Sequence, residues 1–221
     1  IYAKFIKPVS NGEVPALLYF HGYPGCNRNW FEKTAYASLG YAVFAMDFRG
    51  QGGKSQDIGG ILGTTVAGHI VAGIDDELDN MIYVKNILDM CLLIRIAKDI
   101  EGIDANNINC AGGSQGGGFA TMCAGLNDIK KCIILYPFLS DMKKVYDLDL
   151  DLVAYESIRY YARWFSSTGE NDEKLFNRLA YIDAKNFAPR VKSKVLFGAS
   201  NIDVICPIET QFAVYNNLNC E

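Results

Sequence analysis

Histidine is nearly absent from this sequence: His21 and His69 are the two in 221 residues. Any chemistry that needs an imidazole base therefore has two places to look. Also missing is an apolar run of the roughly 18 residues a membrane span requires, so no membrane partner is expected. There is no cluster of Lys or Arg, and the formal net charge is -4. That balance argues against a nucleic-acid-binding surface. The seven cysteines, at positions 26, 91, 110, 123, 132, 206 and 220, are odd in number, and no pair has C-x-x-C spacing. A zinc site or a full disulfide framework is not indicated. Cys110, Cys123 and Cys132 lie in apolar runs, where a thiol behaves as a small buried hydrophobe. The expectation is a reducing, cytoplasmic compartment and no metal or organic cofactor. The chain also lacks an initiating Met, and its opening residues IYAKF do not resemble a signal peptide. A mature form or a cut fragment is expected.

What is present suits one globular domain rather than two. Half the residues are hydrophobic, 12% are aromatic and 21% charged, enough apolar material for a sizeable core. Short apolar runs at 16–21 (ALLYFH), 42–48 (AVFAMDF), 108–111, 132–136 and 194–199 (KVLFGA) read as strands buried on both faces. Helical patterns separate them: one from Asp75, with Asp75, Asp76 and Glu77 in its first turn, then 116–126, 172–181, and one opened by Pro207 and running to about Asn217. Strands alternating with helices predict an α/β fold with a mostly parallel central sheet flanked by helices. Two stretches break the rhythm. Residues 50–73 are rich in Gly, Ser, Thr and Gln without clean periodicity, too long for a plain connection and so a functional or interface excursion. Residues 141–168, rich in Tyr and Asp, read as an insertion above the sheet; the tyrosines at 146–161 could line a site entrance, and packing explains them equally well.

Three segments carry chemistry. Gly112-Gly113-Ser114-Gln115-Gly116 is a G-x-S-x-G pentapeptide between an apolar strand and an apolar helix, the context a nucleophile elbow needs. Gly112 and Gly116 are required because side chains would collide across so sharp a bend. The turn lifts the Ser114 hydroxyl above the sheet and sets the Gln115 N–H beside it as an oxyanion donor. A phosphate-binding turn is the competing reading, opposed by the lack of a Walker lysine or G-x-G-x-x-G register. His21-Gly22-Tyr23-Pro24-Gly25 follows an early strand, where this kind of site takes its second oxyanion N–H; Tyr23 is the candidate, since Pro24 has none. His21, at a strand end, reads as a brace for that loop rather than a base. Asp203, in the loop after the last strand and before Pro207, is placed as the acid of a Ser, Asp, His order. Helix capping is its alternative role, weakened because Cys206 holds the natural cap position before Pro207.

These pieces together resemble one family, the acetyl xylan esterases and cephalosporin C deacetylases of the α/β-hydrolase superfamily. The resemblance runs through YFHGYPG (19–25), MDFRGQGGKSQD (46–57), AGGSQGGGFA (111–120) and YIDAKNFAPRVKSKVLFGASNIDVICPIETQFAVYNN (181–217). It implies an α/β-hydrolase fold with Ser114 as nucleophile, Asp203 as acid, and Tyr23 and Gln115 N–H groups as the oxyanion hole. It implies that Arg49, Gly50, Gln51 and Gly52 are a structural RGQG motif, and that the excursion at 53–73 contributes to subunit contacts in a hexamer. It implies removal of acetyl groups from small substrates such as xylo-oligosaccharides and cephalosporin C.

The family's histidine lies on the loop after the next strand, whereas this sequence stops at Glu221. The expectation is therefore a single domain incomplete at both ends, lacking a last strand and helix, with its triad histidine absent and its activity impaired. His69 reads as a partly buried or interface residue. Two other readings stay open: another α/β-hydrolase, dienelactone-hydrolase-like or peptidase-like, and a non-catalytic binding or scaffold homologue.

Overall fold

The computed structural model describes residues 1–27, 29–56, 68–149, 152–165 and 170–220. The six strands are β1 (Tyr2–Ile6), β2 (Val14–Phe20), β3 (Ala42–Asp47), β4 (Ile103–Gly113), β5 (Lys131–Leu135) and β6 (Lys194–Gly198). They form one sheet in the order β1-β3-β2-β4-β5-β6. Every pairing is parallel except β1 with β3. The helices are α1 (Phe31–Ser38), α2 (Ile82–Asp99), α3 (Gln115–Leu126), α4 (Met142–Asp147), α5 (Glu156–Phe165), α6 (Glu170–Leu179) and α7 (Ile208–Tyr215).

The main core lies between one face of the sheet and helices α2 and α3. Leu18 and Phe20 of β2, Phe44 and Met46 of β3 and Ile108 of β4 point into it, meeting Met90 and Leu93 of α2 and Phe119 and Met122 of α3. Burying each such side chain contributes about 1.5–3 kcal/mol. The apolar runs become strands because both faces of the inner ones are covered: all six residues of β3 are buried. With parallel strands, the segments leaving β2, β3, β4, β5 and β6 emerge at one end of the sheet, the usual place for a site in such folds.

Several expectations need correction. The antiparallel edge strand β1 and helix α1 carried no clear periodic signal; α1 buries just Lys33 and Ala37. The pattern from Asp75 is not helical at its start. Residues 75–81 are turns with a short 3₁₀ segment, and α2 begins at Ile82. Asp75 is engaged elsewhere, accepting hydrogen bonds from Tyr161 Oη at 2.6 Å and Lys174 Nζ at 3.2 Å. Strand β6 is not buried on both faces, because it lies at the sheet edge, with Leu196 62% exposed. Pro207 precedes α7 as its cap rather than opening it. Of the 50–73 excursion, 57–67 lies outside the described residues, as do 150–151 and 166–168 of the 141–168 insertion. Within that insertion α4 and α5 form, and Tyr155 is buried in the core while Tyr160 is exposed.

Candidate active site

Ser114 stands at the junction of β4 and α3 with φ 56° and ψ -123°, a conformation that a non-glycine residue rarely holds. Its main chain is secured on both sides. Its N–H donates to Leu135 O at 3.0 Å, and its carbonyl accepts from Gly118 N at 3.1 Å and Phe138 N at 2.9 Å. The two glycines that flank the turn are sterically necessary. A Cβ on Gly112 would lie 2.3 Å from the Gly116 carbonyl, and one on Gly116 would lie 2.1 Å from Phe20 O. The second of these contacts seats the start of α3 directly against the end of β2, where the His21 loop leaves the sheet. Tyr136 and Leu139, on the segment after β5, also hold positive φ values.

The loop 21–25 lies beside the serine: a Cβ on Gly22 would sit 3.9 Å from Ser114 Cβ. Gly22 O accepts from Gly25 N at 2.8 Å and from His21 Nδ1 at 2.8 Å. His21 Nε2 accepts from Phe48 N at 3.2 Å. The proton of this imidazole is therefore on Nδ1, and both ring nitrogens are committed to backbone. Burial lowers its pKa, holding it neutral. His21 braces the loop.

His69 is also buried. Its Nε2 donates to Gly50 O at 2.9 Å, which leaves Nδ1 to accept from Tyr23 Oη at 2.8 Å. The sequence carried no signal that His69 would support Tyr23 across 46 positions. Neither histidine is placed as a base toward Ser114.

The RGQG segment proves to be a hub. Arg49 pairs with Asp89 of α2 through Nε (2.5 Å) and Nη2 (2.8 Å), and its N–H donates to Asn86 Oδ1 at 2.8 Å. Gly52 N reaches Pro24 O at 3.2 Å and Gly25 O at 3.1 Å, stitching the turn to the 21–25 loop. Gln51 and Gln115 exchange amide hydrogen bonds of 2.7 and 3.0 Å, and Tyr83 Oη donates to Gln115 Oε1 at 2.8 Å. All three side chains are buried. The side chain of the residue after the serine is thus clamped by the motif 64 positions away.

Asp203 lies in the loop after β6. Its Oδ1 accepts from Ile205 N and Cys206 N, both at 2.8 Å; Oδ2 takes neither bond. The carboxylate organises a local turn, and Pro207 rather than Asp203 holds the cap position of α7. The Cys206 thiol is buried. Burial, and then the Asp203 charge, push that thiol up to about 12.

Comparison with known proteins agrees with this geometry. The sequence model of the family described as Acetyl xylan esterase (AXE1) matches residues 1–221. Acetyl esterase Axe7A of Xylanibacter ruminicola is 29% identical over 226 residues, covering 98% of this chain and 48% of that protein. The chain thus spans about half the length of that curated relative. Among solved structures, acetyl xylan esterase 1 from Thermoanaerobacterium sp. JW/SL YS485 superposes with a TM-score of 0.92 at 44% identity, over 99% of this chain and 69% of that one. The acetyl xylan esterase from Paenibacillus sp. R4 gives 0.89 at 30% identity, over 99% and 70%. The sheet order, the serine turn between β4 and α3 and these matches together show an α/β-hydrolase fold, and the chain belongs to the acetyl xylan esterase family.

Proposed function

We propose that the protein is a serine carboxylic ester hydrolase that removes acetyl groups from small acetylated substrates, xylo-oligosaccharides first among them, through an acyl-enzyme on Ser114. The observation that carries this reading is the strained serine turn seated against the braced 21–25 loop. In the proposed reaction the Ser114 hydroxyl attacks the acetyl carbonyl, and the N–H groups of Gln115 and Tyr23 stabilise the oxyanion. The alcohol leaves, water attacks the acyl-enzyme and acetate departs. Asp203 is the acid that orients the base. That base is a histidine these 221 residues do not supply, because His21 and His69 are both held by other groups. The 3′-acetyl of cephalosporin C is a second substrate of the same reading. Seven cysteines outside any disulfide support a cytoplasmic location, and no described helix is long and apolar enough to cross a membrane. A homo-oligomer, hexameric by resemblance, completes the proposal.

The test is made on the protein expressed from its whole reading frame. A fluorophosphonate probe is expected to label Ser114, located by peptide mass spectrometry, and Ser114→Ala is expected to abolish both labelling and hydrolysis of 4-nitrophenyl acetate. The 221-residue chain alone is expected to turn over on the order of 10⁴ to 10⁶ more slowly. Hydrolysis that survives Ser114→Ala, or a clear preference for butyryl over acetyl esters, would overturn the reading.

A further inference from the structure

The 21–25 loop is tied to the RGQG turn twice. The first tie is main chain to main chain: Gly52 N reaches Pro24 O at 3.2 Å and Gly25 O at 3.1 Å. The second runs through side chains. Tyr23 Oη donates to His69 Nδ1 at 2.8 Å, and His69 Nε2 donates to Gly50 O at 2.9 Å. Tyr23 and Pro24 are neighbours on the loop, and Gly50 and Gly52 stand two positions apart on the turn. The two ties therefore close a ring of contacts in which the Tyr23 main chain is one link. The imidazole in that ring is 2% exposed. It belongs to a short 3₁₀ segment (His69–Val71), and the next residue, Ala72, accepts from Ile82 N at the start of α2 at 3.1 Å.

The Tyr23 ring is held on two sides. The His69 ring meets it edge-on, with centroids 5.3 Å apart and planes at 83°. Phe138 stacks on it at 6.0 Å and 19°. The same Phe138 donates its N–H to Ser114 O at 2.9 Å, so the tyrosine stands between His69 and the segment that secures the serine. Burial raises the pKa of the Tyr23 phenol, which keeps its proton for the bond to His69. An imidazole that donates at Nε2 and accepts at Nδ1 has the two functions this place needs, a donor toward the turn and an acceptor toward the loop.

We propose, on the serine esterase reading above, that His69 is a positioning residue for the oxyanion hole: bonded to Gly50 on one side and to the Tyr23 hydroxyl on the other, it holds the Tyr23 main chain where its N–H meets the developing oxyanion. His69 touches no reacting atom and takes no proton from Ser114. An oxyanion donor acts through its aim. Losing one outright costs about 10² to 10³ in kcat, and a misplacement of about 1 Å can cost about 100-fold. Loosening the Tyr23 donor without removing it is therefore expected to cost about 10- to 100-fold. The cost falls on kcat rather than KM, because the oxyanion forms only after the ester has bound.

The experiment compares wild type, Tyr23→Phe, His69→Gln, His69→Asn and the double variant Tyr23→Phe with His69→Gln, made in the protein expressed from its whole reading frame. Each is assayed with 4-nitrophenyl acetate and with phenyl trifluoromethyl ketone, an inhibitor whose carbonyl becomes an alkoxide when a serine adds to it; Tm is measured in parallel. A glutamine amide can stand in for Nε2 and keep the bond to Gly50, but it offers Tyr23 no acceptor. An asparagine oxygen stands where Nδ1 was and keeps that acceptor. Tyr23→Phe and His69→Gln are expected to lower kcat by about 10- to 100-fold with little change in KM, and to weaken the ketone by the same factor. The double variant is expected to be no worse than either single one, since both remove one bond. His69→Asn is expected to restore most of kcat. If His69→Gln is too unstable to assay, Tyr23→Phe, which removes a single oxygen, carries the test. A kcat within about twofold of wild type in the folded variants, or a loss in His69→Asn as deep as in His69→Gln, would overturn the proposal while leaving the esterase intact. So would a fall in kcat with the ketone bound as tightly as before. A wild type that neither takes a fluorophosphonate on Ser114 nor hydrolyses acetate esters would sink both readings.

Discussion

At the scale of single residues, the site is defined by groups that are already occupied. His21 is the sharpest case. Its two ring nitrogens serve a carbonyl and an amide of the backbone, and burial depresses its pKa. The unfolded chain binds a proton at this residue near pH 6.5, and the folded chain does so only at lower pH. The stability tied to the neutral ring is fully present above the unfolded value and is lost as pH falls toward the folded one. Urea unfolding of wild type between pH 7.5 and 5.5 is expected to show a falling midpoint, with a slope from this residue of up to about 1.4 kcal/mol per pH unit. His21→Asn is expected to flatten that slope. Asp183, whose carboxyl is raised mainly by burial, is common to both proteins and acts in the opposite sense, so the difference between the two profiles isolates His21. The brace was legible from position alone: a histidine ending a strand, followed at once by a Gly-rich turn. The burial of Cys206 was not, because nothing in ICPIE says which way a loop thiol faces.

At the scale of elements, the RGQG turn and the serine turn are two motifs that the sequence displays separately and the fold joins. Gln51, Gln115 and Tyr83 come from the turn after β3, the start of α3 and the first turn of α2. Gln51→Leu would leave the buried Gln115 amide without its reciprocal partner, at a cost of about 1–3 kcal/mol. Tyr83→Phe removes one donor and is expected to cost less, about 0.5–1.5 kcal/mol. Chemical denaturation of both variants checks the order; equal effects, or none, would mean that the amide pair does not tie these elements together. The strands were readable because each is a short apolar run bounded by turn residues. The pairing of the two glutamines was not, since side-chain contacts over such separations depend on where the sheet order brings the strand ends. The start of α2 was misjudged for a related reason. Asp75 in the first turn of a helix is a reasonable expectation, but Tyr161 and Lys174 of the insertion claim its carboxylate.

At the scale of the whole molecule, the sheet is shielded unevenly. The inner strands are covered, while β6 forms an edge. Beside it is a groove of about 430 Å³ lined by Leu17, Tyr36, Leu39, Tyr41, Val195 and Leu196 among others. Exposed edge strands with apolar side chains invite pairing between molecules. The 221-residue chain is expected to associate as its concentration rises, and Leu196→Lys to suppress that association in light scattering without lowering the melting temperature. Unchanged scattering would assign any association to another surface. The parallel α/β layout was legible from the alternation of runs. The exposure of β6 was not, because KVLFG is as apolar as the buried strands.

The hydrogen bonds around Ser114 have a consequence in time as well as in space. Its amide is held by Leu135 of β5, and its carbonyl by Gly118 and Phe138. Freeing the serine from its unusual conformation means parting the ends of two central strands, not loosening a surface loop. Local fluctuations of the kind that expose loop amides to solvent exchange leave such a residue untouched. Ser114 therefore keeps its geometry for as long as the sheet persists, and its protection from exchange reports the integrity of the whole fold.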